Sequence, residues 1–238
     1  MQCLIIAAGQ GTRLRSRAAS KPLAEVAGRP LIGHIIERAQ AGGATSFVVV
    51  TGYAPDALEA YLRGLGEAGA PIAIVRNPDW ERPNGLSVAA AAERLEDEFL
   101  LMMSDHLFDP AIPRLLVERA RGPALTLAVD RGVDNPLIDL DDATKVDVGE
   151  DGRIVRLSKA LSEYNAIDTG VFRAGPELIA AIRESVAEGG QGSLSEGVQR
   201  LADRGEAEAV DIGGRWWLDV DDPRALELAE EALGAPIG

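Results

Sequence analysis

Short runs of β-branched and other apolar residues alternate with stretches of helical spacing along most of this chain, and that alternation restricts the fold more than any other feature. CLIIAA, FVVVTG, PIAIV and FLLMMSD are each one strand long and nearly continuous in apolar character, and FLLMMSD reads as a buried strand. Between them lie PLIGHIIERAQA, opened by a proline and stopped by Gly42 and Gly43, then APDALEAYLRGLG, then GLSVAAAAERLEDE, all of which read as helices. The pattern predicts βαβ units, and hence an α/β fold with a mostly parallel central sheet.

Beyond a helix near residues 111–120 and the strand ALTLAV the pattern loosens. From about Asp134 to Leu161 the chain is polar, with short alternating pieces TKVDVG and RIVRL joined by EDG, which predicts a small antiparallel excursion. IDTGVFRA then resumes a strand. Ser193 and Glu196 form a capping-box match at the start of SLSEGVQRLADRG. EAVDI, the tight GGRWWLDVDDP and a final helix close the chain. With no internal repeat and no Pro/Ser-rich linker, residues 1–238 read as one domain.

Charge narrows the partners. Thirty-eight acidic residues against 24 basic ones give a formal charge of -14, which opposes non-specific attraction to nucleic acid or to an anionic membrane. Any polyphosphate must therefore be held by a few local cations or by a metal ion. No apolar run reaches the ~18 residues of a membrane span and the start of the chain forms no leader, so no membrane insertion and a soluble, cytoplasmic protein are expected. The single cysteine, Cys3, lies within the first apolar run and reads as a buried thiol.

The first strand ends in AAGQGTR, which puts Ala7 to Arg13 beyond the carboxyl end of a parallel strand, where ligands of open α/β sheets sit. A glycine-rich turn can cradle phosphate with its N–H groups, and Arg13 and Lys21 are cations for its oxygens. The run is neither a Walker A motif nor G-x-G-x-x-G, and taken alone Gly9 and Gly11 read equally well as a plain turn. Asn84-Gly85, taken alone, is also a turn. Asp105 ends a buried strand, where an unpaired carboxylate is costly unless neutralised; oxygen ligands beside phosphate suggest Mg²⁺. Asp219 and Asp221, two residues apart, would share one side of an extended strand and supply the distant partners, while Asp222 before Pro223 reads as a helix cap. With no His/Cys cluster in the chain, His106 reads as a satisfied structural histidine.

GQGTRL followed by KPL at Lys21 to Leu23, together with RPNGLSVAAAA, resembles the sugar-nucleotidyltransferases from Met1 to Leu233. The resemblance implies a Rossmann-like three-layer fold of the glycosyltransferase-A/nucleotidyltransferase type, with a nucleotide-binding half about 1–110 and an acceptor-binding half about 111–238. It implies nucleotide contacts from Ala7, Ala8, Gly9, Gly11, Thr12, Asn84, Gly85 and Ser104. Arg13 and Lys21 would hold the triphosphate, and Asp105, Asp219 and Asp221 would hold Mg²⁺. MSDHLF, DLDDATKV, EYNAIDTGVF and WWLDVDDP, in this order, are most similar to the cytidylyltransferases that activate L-myo-inositol 1-phosphate with CTP. That narrower resemblance implies an acceptor site of Lys145, Lys159, Glu163, Thr169 and Gly170, with Arg13, Lys21, Lys145 and Lys159 as the catalytic cations. Lys21, Lys145 and Lys159 are the only lysines of the chain, and all fall on motif positions.

The implied reaction is direct in-line attack of the acceptor phosphate on the α-phosphorus of CTP, with pyrophosphate leaving. Related alternatives are a cytidylyltransferase for phosphocholine or 2-aminoethylphosphonate, and a hexose-1-phosphate enzyme using UTP or dTTP, which Asp221 opposes. A regulatory nucleotide-binding module without turnover is opposed by the joint presence of Arg13, Lys21, Asp105, Lys159 and Asp219. A homodimer and a separate downstream membrane alcohol phosphotransferase are compatible partners.

Overall fold

A computed structural model describes residues 1–11, 20–69, 71–119, 122, 124–135 and 138–234. The chain starts with β1 (Gln2–Ala7), passes through the two-residue strands β2 (Glu25–Val26) and β3 (Arg29–Pro30) into α1 (Leu31–Ala41), and continues with β4 (Ser46–Thr51), α2 (Pro55–Ala68) and β5 (Ile72–Arg76). Then come α3 (Gly85–Ala90), β6 (Phe99–Met103), β7 (His106–Phe108) and α4 (Ala111–Glu118). The remaining elements are β8 (Leu125–Asp130), β9 (Lys145–Val148), β10 (Ile154–Ser158), β11 (Ala166–Ala174), α5 (Pro176–Ala187), α6 (Leu194–Asp203), β12 (Ala207–Asp211), β13 (Trp217–Asp219) and α7 (Pro223–Gly234).

Among the described residues the main sheet runs β10-β9-β11-β6-β1-β4-β5, with β8 joined to β11 and β12 to β8. β6, β1, β4 and β5 are parallel, as their apolar continuity predicts. β11 lies antiparallel to β6 and β9, and the expected antiparallel excursion is the β9–β10 hairpin, which extends the main sheet at one edge. Successive residues of β1 enter opposite layers. Cys3 and Ile5 pack with Leu31, Ile32 and Ile35 of α1, whereas Leu4 and Ile6 pack in the layer that holds Ile182 of α5 and Val198 of α6. Each such side chain, removed from water, stabilises the fold by about 1.5–3 kcal/mol.

Two expectations differ from the structure. The helix expected over GLSVAAAAERLEDE ends at Ala90, followed by a 3-10 turn at Ala92–Arg94 and an extended Leu95. The Gln2 side chain explains the break. Its amide donates to the Arg94 carbonyl and accepts from Glu96 N–H, binding backbone groups that a longer helix would have used and feeding the chain into β6 beside β1. The second difference is α5, for which no helix was expected although Pro176 begins it and Leu178, Ile179 and Ile182 are buried at helical spacing.

Candidate functional site

β1 and β6 are neighbours, so the loops after them emerge side by side at the carboxyl edge of the sheet. Two adjoining cavities open there. The smaller, about 360 Å³, is walled by Ala8, Gly9 and Gly11 on one side and by Trp80, Arg82 and Ser87 on another. The larger, about 530 Å³, is walled in part by His106, Asp168, Gly170, Trp217 and Lys159. Asn84, Met103, Asp105 and Asp221 line both, so the junction carries carboxylates.

Three separate pieces of chain assemble this junction. β13 pairs antiparallel with β7 so that Asp219 faces His106, and Val220 N–H donates to the Asp105 carbonyl at 2.8 Å. That small sheet carries Asp219 and Asp221 to the end of β6. Lys21, in the 3-10 turn Lys21–Leu23, donates to Asp105 Oδ2 at 2.7 Å, pairs with Asp221 and lies 3.8 Å from Asp219 Oδ1. Gly11 is needed for this approach: its φ is +54°, and a Cβ there would stand 2.3 Å from Lys21 Cβ.

His106 Nδ1 bonds the other oxygen of Asp105 at 2.7 Å, and its ring stacks on Trp217 with centroids 5.9 Å apart. On its other side the ring meets Gly170, whose φ of +74° belongs to a bulge in β11; a Cβ there would be 2.7 Å from the imidazole Cδ2. Burial opposes the imidazolium, but the Asp219 and Asp105 carboxylates outweigh it and push His106 up to about 9. Burial likewise opposes ionisation of Asp105, yet the Lys21 charge and the His106 hydrogen bond hold its carboxyl well below the usual range. Asp219 is raised, chiefly by burial. Asp168, on the wall of the larger cavity, is pushed up to about 6 by burial, against the Gly170 N–H that donates to it.

The donor set suits a divalent cation. Carboxylate oxygens of Asp105 and Asp219 lie within 4.8 Å of each other and of His106, whose imidazolium flanks them as a cation and not as a ligand, and Asp219 Oδ1 is buried without a hydrogen-bond donor. Among the described residues three carboxylates, Asp105, Asp219 and Asp221, gather around Lys21, and carboxylate oxygens are the hard ligands a divalent cation takes.

The residues singled out in the sequence distribute unevenly. Ala8, Gly9, Gly11, Lys21, Asn84 and Ser104 line the smaller cavity. Ala7 ends β1 and packs in the core behind it. Thr12 and Arg13 lie outside the described residues. Gly85 is buried beneath the cavity, and a Cβ there would stand 2.4 Å from the Gly192 carbonyl, so the glycine lets α3 approach the loop before α6. Asn84 fixes the same contact by accepting from Leu194 N–H at 3.0 Å.

Of the residues that the resemblance implies for the acceptor, Lys159 and Gly170 line the larger cavity. Thr169 requires correction: it is fully buried, and its hydroxyl donates to the Ala128 carbonyl at 2.7 Å instead of facing the cavity. Glu163 is exposed and lies off the wall, and Lys145 turns its ammonium to the Lys159 carbonyl at 2.8 Å. His106, expected to be structural, stands within the carboxylate cluster. Asp168 and Arg82 line the cavities without being among the residues read from the sequence; Asp168 precedes Thr169 and Gly170 in the same motif and is the legible signal of the two.

The model of the MobA-like NTP transferase domain matches residues 3–165. The bifunctional IPC transferase and DIPP synthase of Rubrobacter xylanophilus is 36% identical over 232 residues, covering 96% of this chain and 51% of that protein. Its counterpart from Thermococcus kodakarensis is 35% identical over 237 residues, covering 98% and 50%. The chain thus spans about half the length of these curated relatives. Among solved structures, the inositol-1-phosphate CTP transferase from T. maritima superposes with a TM-score of 0.85 at 27% identity, covering 99% of this chain and 98% of that one. A UDP-glucose pyrophosphorylase complexed with UDP-glucose, at 17% identity and a TM-score of 0.82 over 98% of each chain, shares the fold.

Proposed function

The chain belongs to the MobA-like NTP transferase family, and from that premise we propose that it transfers CMP from CTP to L-myo-inositol 1-phosphate, releasing pyrophosphate. The observation that carries this reading is the pair of adjoining cavities with Asp105 and Asp221 in the wall of both. One cavity takes the nucleotide, the other the acceptor, and the reacting phosphates meet at the shared carboxylates. In this reading residues 1–238 act as one domain, the first half supplying most of the nucleotide cavity. The relatives, named IPC transferase and inositol-1-phosphate CTP transferase, support the choice of substrates.

The acceptor phosphate attacks the α-phosphorus; its P–O bond forms as the bond to the bridging oxygen breaks, and pyrophosphate leaves with the electron pair. The nucleophile is already ionised, so no general base is required. The residues' work is to hold two mutually repelling anions in line. The N–H groups around Ala8, Gly9 and Gly11 would receive the nucleotide, with Arg13 and Lys21 on the triphosphate. Lys159 would hold the acceptor phosphate, and Gly170 and Asp168 would face the polyol. Asp105, Asp219 and Asp221 would hold Mg²⁺, which supplies positive charge to phosphate oxygens. Lys21, which pairs with Asp105 and Asp221 here, would turn its ammonium to the triphosphate oxygens.

A second reading, an acceptor that carries its own cation, is favoured by one feature: Asp139, Asp142, Asp168 and Asp222, with Trp217, line the larger cavity. The same carboxylates can accept hydrogen bonds from hydroxyls, and the relatives favour the polyol. Pyrophosphate release decides between them when CTP, UTP and dTTP are each offered with inositol 1-phosphate, phosphocholine, 2-aminoethylphosphonate and glucose 1-phosphate. Turnover of CTP with inositol 1-phosphate supports the first reading. Preference for phosphocholine or the phosphonate replaces it with the second, and UTP or dTTP with glucose 1-phosphate overturns both. Among the described residues no helix is long and apolar enough to cross a membrane. A cytoplasmic location is part of the reading, as is a membrane alcohol phosphotransferase that consumes the product.

A further inference from the structure

We infer that Lys145 is a positioning residue for Lys159 and reaches the acceptor phosphate only through it. Lys145 opens β9, paired with Ser158 of β10 on one side and Ile167 of β11 on the other. Its ammonium does not line the acceptor cavity. It donates to the Lys159 carbonyl at 2.8 Å and sits over the Tyr164 ring, 5.8 Å from the centroid. Lys159 does line the cavity, and its own ammonium pairs with Asp142, three residues before Lys145. The segment from Asp142 to Lys145 therefore grips Lys159 at both ends, the backbone by Lys145 and the head group by Asp142.

The physical need for such a grip follows from the side chain it holds. Lysine carries a flexible four-carbon stem and loses about 2 kcal/mol of rotamer freedom when fixed. Lys159 follows the end of β10 and is exposed. Anchoring its carbonyl to a strand in the sheet fixes the root of the stem, so that only the stem has to be ordered when phosphate replaces Asp142. The Tyr164 ring face gives the Lys145 charge a second favourable contact and keeps it on the carbonyl.

This inference rests on the reading that Lys159 holds the acceptor phosphate, and a double-mutant cycle separates the two. KM and kcat for acceptor and for CTP are measured for wild type, Lys145→Met, Lys159→Ala, the double variant and Lys145→Arg, with thermal melts as a control for folding. Lys145→Met should raise acceptor KM roughly tenfold, the loss of one charge-assisted hydrogen bond, with CTP KM unchanged. In the Lys159→Ala background the same change should add nothing, and Lys145→Arg, which can still donate to a carbonyl and stack on tyrosine, should recover most of the loss. Additive effects would mean that Lys145 touches the acceptor itself and would overturn the inference, as would an unchanged KM in Lys145→Met. If Lys159→Ala leaves acceptor KM unaltered, the reading of Lys159 fails and this inference with it. Should the wild type use a different phosphorylated acceptor, the cycle is run on that one, since the argument concerns only the phosphate.

Discussion

At the scale of single residues, the site depends on which oxygens are already taken. Asp105 has one oxygen on Lys21 and the other on His106, while Asp219 Oδ1 has no donor. Asp105→Asn keeps the shape and removes one charge, so the fold should persist by circular dichroism while metal-dependent pyrophosphate release falls at least about a hundredfold. Unchanged turnover would remove Asp105 from the metal site. Thr169 makes the opposite case. Its hydroxyl serves the Ala128 carbonyl inside the sheet, so Thr169→Val should lower stability by about 1 kcal/mol in urea melts and leave acceptor KM where it was. The motif DTG was legible in the sequence, and strand alternation alone puts its first and third residues on one face and its second on the other. Asp168 and Gly170 accordingly line the cavity while Thr169 is buried on the opposite face.

At the scale of elements, a few polar side chains tie neighbours together or end them. Glu59 of α2, almost fully buried, accepts from Thr51 of β4 and from Arg76 of β5, and so binds one helix to two strands. The Arg76 hydrogen bond, above all, holds its carboxyl below the usual range against the effect of burial. A depressed carboxyl binds protons less readily in the folded chain than in the unfolded one. Its stabilisation is therefore complete above the ordinary carboxylate range and is lost as pH falls through the lowered value. Glu59→Gln should reduce stability by about 1–3 kcal/mol at neutral pH and should flatten the acid side of the stability profile; a parallel offset at every pH would show that the charge is not what matters. At the sheet edge, Gln199 of α6 accepts from Leu157 N–H and donates to the Val155 carbonyl, so β10 has its outer backbone partly paired by a side chain. The capping box at Ser193 and Glu196 and the cap from Asp222 to Ala225 N–H were both readable locally, because each involves residues three apart. The end of α3 was not, since it depends on Gln2, a residue about ninety positions away.

At the scale of the molecule, Lys21 is the tie between the first loop, the end of β6 and the end of β13. Lys21→Met would remove the ammonium that pairs with Asp105 and Asp221 and lies near Asp219, and because each of these carboxylates keeps a quarter to a third of its side chain in water, the loss should be about 2–3 kcal/mol, below the figure for a fully buried pair. Millimolar Mg²⁺ should recover part of the lost melting temperature in this variant and more than it adds to the wild type; equal gains would argue against a cation at the junction. The alternation of apolar runs and helical stretches determined by itself that the chain would build a sheet with a parallel core of β6, β1, β4 and β5, and the glycine-rich turn, the lysines and the scattered aspartates marked the edge where chemistry could occur. These are local properties, set by side-chain period, turn geometry and charge. Only the tertiary structure decided that Lys21 would sit among the aspartates, that His106 would join them, and that Lys145 would serve Lys159. Those outcomes turn on strand register, on a bulge and on contacts between residues far apart in sequence, which no local pattern encodes.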